Sequence, residues 1–120
     1  MSNISKHSAE KQIMAKLNFS GYQNELADFC QRWKVTELAL FGSVLKDDFR
    51  PESRIEVLAS FAEGGYWSQF DLINMQNDLE QIFYRKVELV DRSALEKSPN
   101  SMRRNNIMSN TEVIYPAIPD

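Results

Sequence analysis

Residues that could bind phosphate and metal ions lie between positions 42 and 88. Gly42 and Ser43 follow an apolar run. A glycine there permits a tight turn close to a phosphate, and the serine offers a hydroxyl and a backbone N–H as donors. Ten residues later, Arg54 and Glu56 stand two positions apart, and Glu88 lies in a later alternating stretch. Carboxylates two apart on one strand share a face and, with one from a neighbouring strand, can hold the divalent cations that assist in-line displacement at phosphorus.

Short periodic segments must position these residues. Alternation, or a continuous apolar run, predicts strands at 35–41, 53–61 and 85–90. Helical periodicity and cap residues predict helices at 22–33, 66–83, 93–97 and 100–109, with Ser93 capping the third. A weaker helix is predicted around positions 13–17, and the last seven residues, which include two prolines, are predicted to be extended. This order favours an α/β (α+β) fold with a small mixed β-sheet and helices packed on one face.

Bulk composition limits the classes of protein. The 120 residues, 42% hydrophobic and 26% charged, are typical of one globular domain over 1–120, with residues 1–20 as a flexible or helical extension. The net charge, 14 − 17 = −3, does not favour direct nucleic-acid binding. The polar N-terminus does not predict a signal peptide, and the sequence predicts no membrane span. A single cysteine, Cys30, placed on an apolar stripe, is expected to be a core side chain. We therefore predict a cytoplasmic protein.

The stretch over positions 38–61 resembles the minimal nucleotidyltransferase (MNT) family of the DNA polymerase beta-like superfamily. That family's signature is a strand ending in Phe-Gly-Ser, ten intervening residues, and an Asp-x-Asp pair on the next strand. Here residues 41–43 read Phe-Gly-Ser, and after ten residues positions 54–56 read Arg-Ile-Glu. A third acidic position, on a strand of Val-Asp-Leu-Val type, corresponds to Glu88. The resemblance implies a polymerase beta-like nucleotidyltransferase fold.

The resemblance also implies a role for each matching position, with ATP and Mg²⁺ as the cofactors. It assigns nucleotide binding to Gly42, Ser43 and Lys46, the catalytic acidic positions to Arg54, Glu56 and Glu88, and any metal binding to Glu56 and Glu88. An arginine cannot ligate a cation, and each glutamate moves its carboxylate outward by one methylene, roughly 1.5 Å. We therefore predict that metal-dependent transfer is weak or lost.

Simpler interpretations of these side chains remain open from the sequence. Arg54 could contact a phosphate directly, or it could form a surface ion pair with Glu56 or Glu88. The two glutamates could be the remnant of a metal site, or solvated acids on an exposed strand face.

The resemblance further implies a partner. Stand-alone MNT proteins of this size are commonly antitoxins that bind a helical HEPN ribonuclease toxin and, in active members, add AMP to a toxin tyrosine. The implied function is an MNT-type antitoxin that neutralises a HEPN toxin in a hetero-oligomer, with transferase activity impaired or lost. Two alternatives stay open: an active ATP- and Mg²⁺-dependent protein adenylyltransferase, and a nucleotide-sensing scaffold without a toxin partner.

Overall fold

A mixed sheet forms the centre of the protein. The computed structural model describes residues 22–46, 50, 52–64 and 67–116. Its four-stranded sheet has the order β3-β2-β1-β4, in which β2 and β3 are parallel and the other neighbours are antiparallel. The strands are β1 (Val35–Phe41), β2 (Ile55–Phe61), β3 (Val87–Asp91) and β4 (Thr111–Tyr115). The mixed sheet predicted from the sequence is confirmed.

Helices flank this sheet in the order that the periodicity predicted. They are α1 (Gln23–Arg32), α2 (Gln69–Phe83), α3 (Arg92–Glu96) and α4 (Ser101–Met108), and a 3-10 helix (Gly42–Leu45) follows β1. The side chain of Ser68 accepts a hydrogen bond from the Asp71 N–H, and the Asp71 carboxylate accepts one from the Ser68 N–H. This capping box fixes the start of α2 three residues after the predicted position.

One prediction about local structure is wrong, and one strand was not predicted. Ser93 does not cap α3, because the Asp91 carboxylate accepts the Ser93 N–H at 2.9 Å and the helix begins one residue earlier. Residues Thr111–Tyr115 form an edge strand, β4, that the sequence analysis did not predict; its last two residues begin the predicted extended tail 114–120, of which 117–120 lie outside the described residues. Its Thr, Val, Ile and Tyr residues favour a strand, but the prolines that follow obscured this signal.

Apolar side chains fill both faces of the sheet. The larger cluster lies under α1 and α2, which cover one face as predicted. It includes Phe29, Cys30, Leu38, Leu40, Ile55, Val57, Met75 and Leu79. A smaller cluster on the opposite face joins Ala39, Phe41 and Leu58 to Leu95 of α3 and Ile107 of α4. The second face therefore carries its own short helical layer.

Part of the predicted organisation lies outside the described residues. This applies to the N-terminal extension over residues 1–20 and to the weak helix within it, so the single-domain boundaries stay a prediction. None of the helices that the structure describes combines the length and the apolar character needed to cross a bilayer.

Cys30 occupies the core and gives a test of the packing. Its side chain has no exposed surface, and burial raises the pKa of the thiol from 9.0 to about 12. The thiol ionises at lower pH in the unfolded chain than in the native protein. The stabilisation that the protonated thiol gives to the native state is therefore complete below pH 9 and is lost as pH rises towards 12. The free energy of unfolding should fall by about 1.4 kcal/mol per pH unit between pH 9 and 11. A Cys30→Ala variant should lack this slope, as measured by denaturant unfolding, and equal slopes would contradict the assignment.

Candidate functional site

The turn after β1 holds a carboxylate from the neighbouring strand. Gly42 has φ +79°, a left-handed conformation in which an L side chain is strained. The Ser43 N–H donates to Oε2 of Glu56 at 3.2 Å. A Cβ on Gly42 would lie 1.7 Å from that oxygen. The absence of a side chain at position 42 is therefore what lets the Glu56 carboxylate lie against the turn.

The two glutamates come from strands that pair in parallel. Glu56 of β2 and Glu88 of β3 are register partners, and both are half-buried. Alternation puts them on the face that carries Leu58 and Val90, which pack in the cluster under α3 and α4. The structure thus brings together Gly42, Ser43, Glu56 and Glu88 at one end of the sheet.

An arginine that the sequence analysis did not single out joins this end of the sheet. Nη2 of Arg103, on α4, lies 3.5 Å from Oε2 of Glu88, and the two side chains are 47% and 36% exposed. At that exposure the pair contributes little to stability. It does, however, place a positive charge at the third acidic position. Only packing of α4 on the second face reveals this contact, because the 14 residues between Glu88 and Arg103 form no periodic element that both partners share.

The ion-pair interpretation of Arg54 is wrong. Arg54 is exposed, lies just before β2, and pairs with neither Glu56 nor Glu88 among the described contacts. Glu56 is instead engaged by the turn and Glu88 by Arg103, so neither glutamate is simply solvated. Lys46, at the end of the 3-10 helix, donates its backbone N–H to the Ser43 carbonyl at 3.0 Å, and its side chain is exposed.

The charge of the protein is distributed unevenly over the two faces. Residues 92–108, which contain α3 and α4, carry four basic and one acidic side chain, 4 − 1 = +3. Helices α1 and α2 carry one basic and five acidic side chains, 1 − 5 = −4. Part of this positive charge is balanced by neighbouring carboxylates, since Arg92 pairs with Glu37 and Glu96, and Arg103 pairs with Glu88 of the candidate site.

These residues do not suit a magnesium ion. Mg²⁺ requires several oxygen ligands at close to octahedral geometry. Of the three positions, one is Arg54, one carboxylate accepts the Ser43 N–H, and the other faces Arg103. Within the described residues no group of three or more His, Cys, Asp or Glu is arranged to hold a metal ion. Of the positions that the resemblance assigns to metal-binding acids, two are therefore carboxylates already engaged by protein donors and one is an arginine.

The sequence and the fold of this chain are similar to those of known proteins. The family model described as nucleotidyltransferase domain matches residues 24–114. The chain belongs to the nucleotidyltransferase domain family. A proposed protein adenylyltransferase of Methanocaldococcus jannaschii is 31% identical over 64 residues, which are 53% of this chain and 64% of that relative. That match spans less than two thirds of the relative's length.

Solved structures share the fold of this nucleotidyltransferase-family chain. One is the toxin–antitoxin MntA-HpeT in a variant with two aspartates, two positions apart, replaced by glutamate (TM-score 0.58, 17% identity, 78% of this chain and 71% of that chain). Another is the toxin–antitoxin with AMP-PNP (TM-score 0.60, 16% identity, 78% of this chain and 72% of that chain). A proposed minimal nucleotidyltransferase also matches (TM-score 0.60, 21% identity, 86% of this chain and 93% of that chain). The predicted minimal nucleotidyltransferase, polymerase beta-like fold is confirmed.

Proposed function

We propose that this chain is an MNT-type antitoxin that neutralises a HEPN ribonuclease by forming a complex with it, with metal-dependent nucleotidyl transfer impaired or lost. Two parts of this proposal have separate support. The loss of transfer rests on the chemistry of the acidic positions, and the partner rests on the kinship with antitoxins.

The observation that carries the proposal is the engagement of both glutamates by protein groups. Oε2 of Glu56 accepts the Ser43 N–H, a donor that would otherwise face a nucleotide phosphate. The Glu88 carboxylate faces the Arg103 guanidinium at 3.5 Å, and Arg54 replaces the first acid of the pair. A cation arriving here would have to displace one guanidinium and stand beside a second, which costs electrostatic energy.

A protein partner is supported by the proteins that share this fold. Two of the solved structures are toxin–antitoxin assemblies in which an MNT-type chain takes part. A domain that has lost its metal chemistry can still neutralise a toxin by covering a surface of it, since binding requires shape and charge complementarity rather than a catalytic constellation. Neutralisation by binding alone is therefore consistent with the altered site.

The test measures binding and transfer in one preparation. The purified chain is mixed with a purified HEPN-family ribonuclease, ATP labelled in its α-phosphate, and Mg²⁺. We expect a stable complex on size-exclusion chromatography, inhibition of RNA cleavage, and no label on the ribonuclease. The Glu56→Ala variant should inhibit as well as the unaltered chain, because neutralisation does not use that carboxylate.

A second candidate is an active protein adenylyltransferase. It is favoured by the 31% identity to the proposed adenylyltransferase of M. jannaschii. Label on the ribonuclease that disappears with Glu56→Ala would establish this candidate and reject neutralisation by binding alone. Failure of the unaltered chain to bind the ribonuclease at micromolar concentrations would reject the antitoxin role.

A further inference from the structure

One face of α2 is exposed to solvent and carries no charge. Phe70, Ile73, Asn77 and Gln81 recur at intervals of three or four residues, so they form one stripe along the helix, and Tyr84 follows at the C-cap. Phe70 and Tyr84 are each 79% exposed, and Ile73 is 55% exposed. Solvent-facing sides of helices usually carry charged residues, whereas aromatic residues and a lack of charge are typical of the centre of a protein interface. We call these five residues the α2 stripe.

An acidic groove borders the α2 stripe. It lies between α1 and α2, has a volume of about 390 Å³, and is lined in part by Glu25, Asp28 and Asp78. Asp78 is already satisfied, since Arg32 lies 3.4 Å from its Oδ2 and the Trp33 indole N–H donates to the same oxygen at 3.1 Å. Within the described residues, neither of the two exposed acids of α1 has such a partner. Two negative charges are thus left for an external cation.

The combination of these features identifies the chemistry of an occupant. The two-helix layer has a net charge of −4, more negative than the whole chain at −3. A surface with an uncharged aromatic centre and an acidic edge complements a helix that has apolar residues on one side and Lys or Arg beside them. A ribonuclease presents Lys and Arg because it must bind the phosphate backbone of RNA.

We propose that the α2 stripe and the acidic groove are the docking surface for a basic, amphipathic helix of the ribonuclease partner. This inference rests on the proposed antitoxin function and names the surface that performs it. From Phe70 to Tyr84 the stripe covers 15 residues, or about 21 Å at the rise of an α-helix, which is enough to seat a partner helix of similar length. Docking here leaves the opposite, positive face and its Gly42–Glu56 contact open to solvent.

The experiment measures the dissociation constant between the purified full-length chain and the purified HEPN-family ribonuclease by isothermal titration calorimetry. Phe70→Ser combined with Ile73→Ser should weaken the complex at least about 30-fold, as loss of central apolar anchors does. Glu25→Lys combined with Asp28→Lys should weaken it to a similar degree through repulsion. All four side chains are exposed or at the surface, and circular dichroism and thermal unfolding verify that each variant is folded.

Met102→Ser is the matched control. Met102 is 74% exposed but lies on α4, in the layer on the opposite face, so its replacement should change the dissociation constant less than about twofold. Raising the salt concentration should weaken the complex of the unaltered chain more than that of a Glu25→Gln, Asp28→Asn variant.

Three results would overturn the inference. If neither double variant weakens the complex, the surface assignment is wrong but the antitoxin function stands. If the unaltered chain forms no complex with the ribonuclease, both the surface assignment and the antitoxin function are wrong. If sedimentation shows a dimer of this chain that Phe70→Ser with Ile73→Ser dissociates, and the ribonuclease binds that dimer without displacing a copy, a second copy occupies the surface instead.

Discussion

Gly42→Ala is expected to destabilise the protein by about 2–3 kcal/mol, roughly 1 kcal/mol more than Gly64→Ala. Both glycines have a left-handed backbone, with φ of +79° and +82°, so alanine carries the same conformational penalty at each. They differ in surroundings. A Cβ at position 64 meets nothing within 4 Å, whereas one at position 42 would overlap the Glu56 carboxylate at 1.7 Å. The carboxylate would have to swing away and lose the Ser43 N–H.

The measurement is a double-mutant cycle by denaturant unfolding. In a Glu56→Ala background there is no carboxylate to displace, so Gly42→Ala should cost no more than Gly64→Ala. If Gly42→Ala costs the same with and without the Glu56 side chain, the carboxylate does not lie on the turn in solution. That result would also contradict the proposal that Glu56 occupies the Ser43 N–H in place of a nucleotide phosphate.

Arg54→Asp combined with Glu56→Asp is expected to increase the affinity for Mg²⁺ at least about tenfold. The change at position 54 replaces +1 by −1, and one unit charge about 4 Å from a cation is worth about 4 kcal/mol at the surface of a protein. Only a third of that energy is needed for a tenfold change. The shorter aspartate at position 56 also withdraws the carboxylate from the Ser43 N–H, freeing that donor for a phosphate.

Calorimetric titration with MgCl₂, with and without ATP, tests this prediction. Arg54→Ala with Glu56→Ala is the matched control, because it removes the guanidinium without adding acids, and it should gain no affinity. Adding Arg103→Ala to the aspartate variant should strengthen Mg²⁺ binding further, since Glu88 then loses its cation. Equal Mg²⁺ affinity in the unaltered chain and the aspartate variant would mean that Arg54 does not exclude the metal.

The candidate site and the proposed docking surface lie on opposite faces of the sheet. Glu56 and Glu88 lie on the face of α3 and α4, whereas the uncharged α2 stripe lies on the other side of the sheet. Selection for binding alone would leave the acidic positions free to change.

The sequence by itself determined the local elements. The apolar run at 35–41 predicted β1 with the bounds that the structure shows, and the long periodicity of α2 was equally clear. The spacing from Phe-Gly-Ser to position 56 indicated the resemblance to nucleotidyltransferases. These features are visible in the sequence because residues close together in the chain determine where a strand runs and where it turns.

Only the tertiary structure decided what each charged side chain contacts. Glu56 reaches the Ser43 N–H because β1 and β2 pair in a register that brings Phe41 opposite Glu56. Glu88 meets Arg103 because α4 packs across the second face. Such contacts depend on register, helix orientation and side-chain reach, which no local pattern encodes. Sequence periodicity could therefore locate the candidate site, but packing alone determined that its acids are held by the protein's own donors.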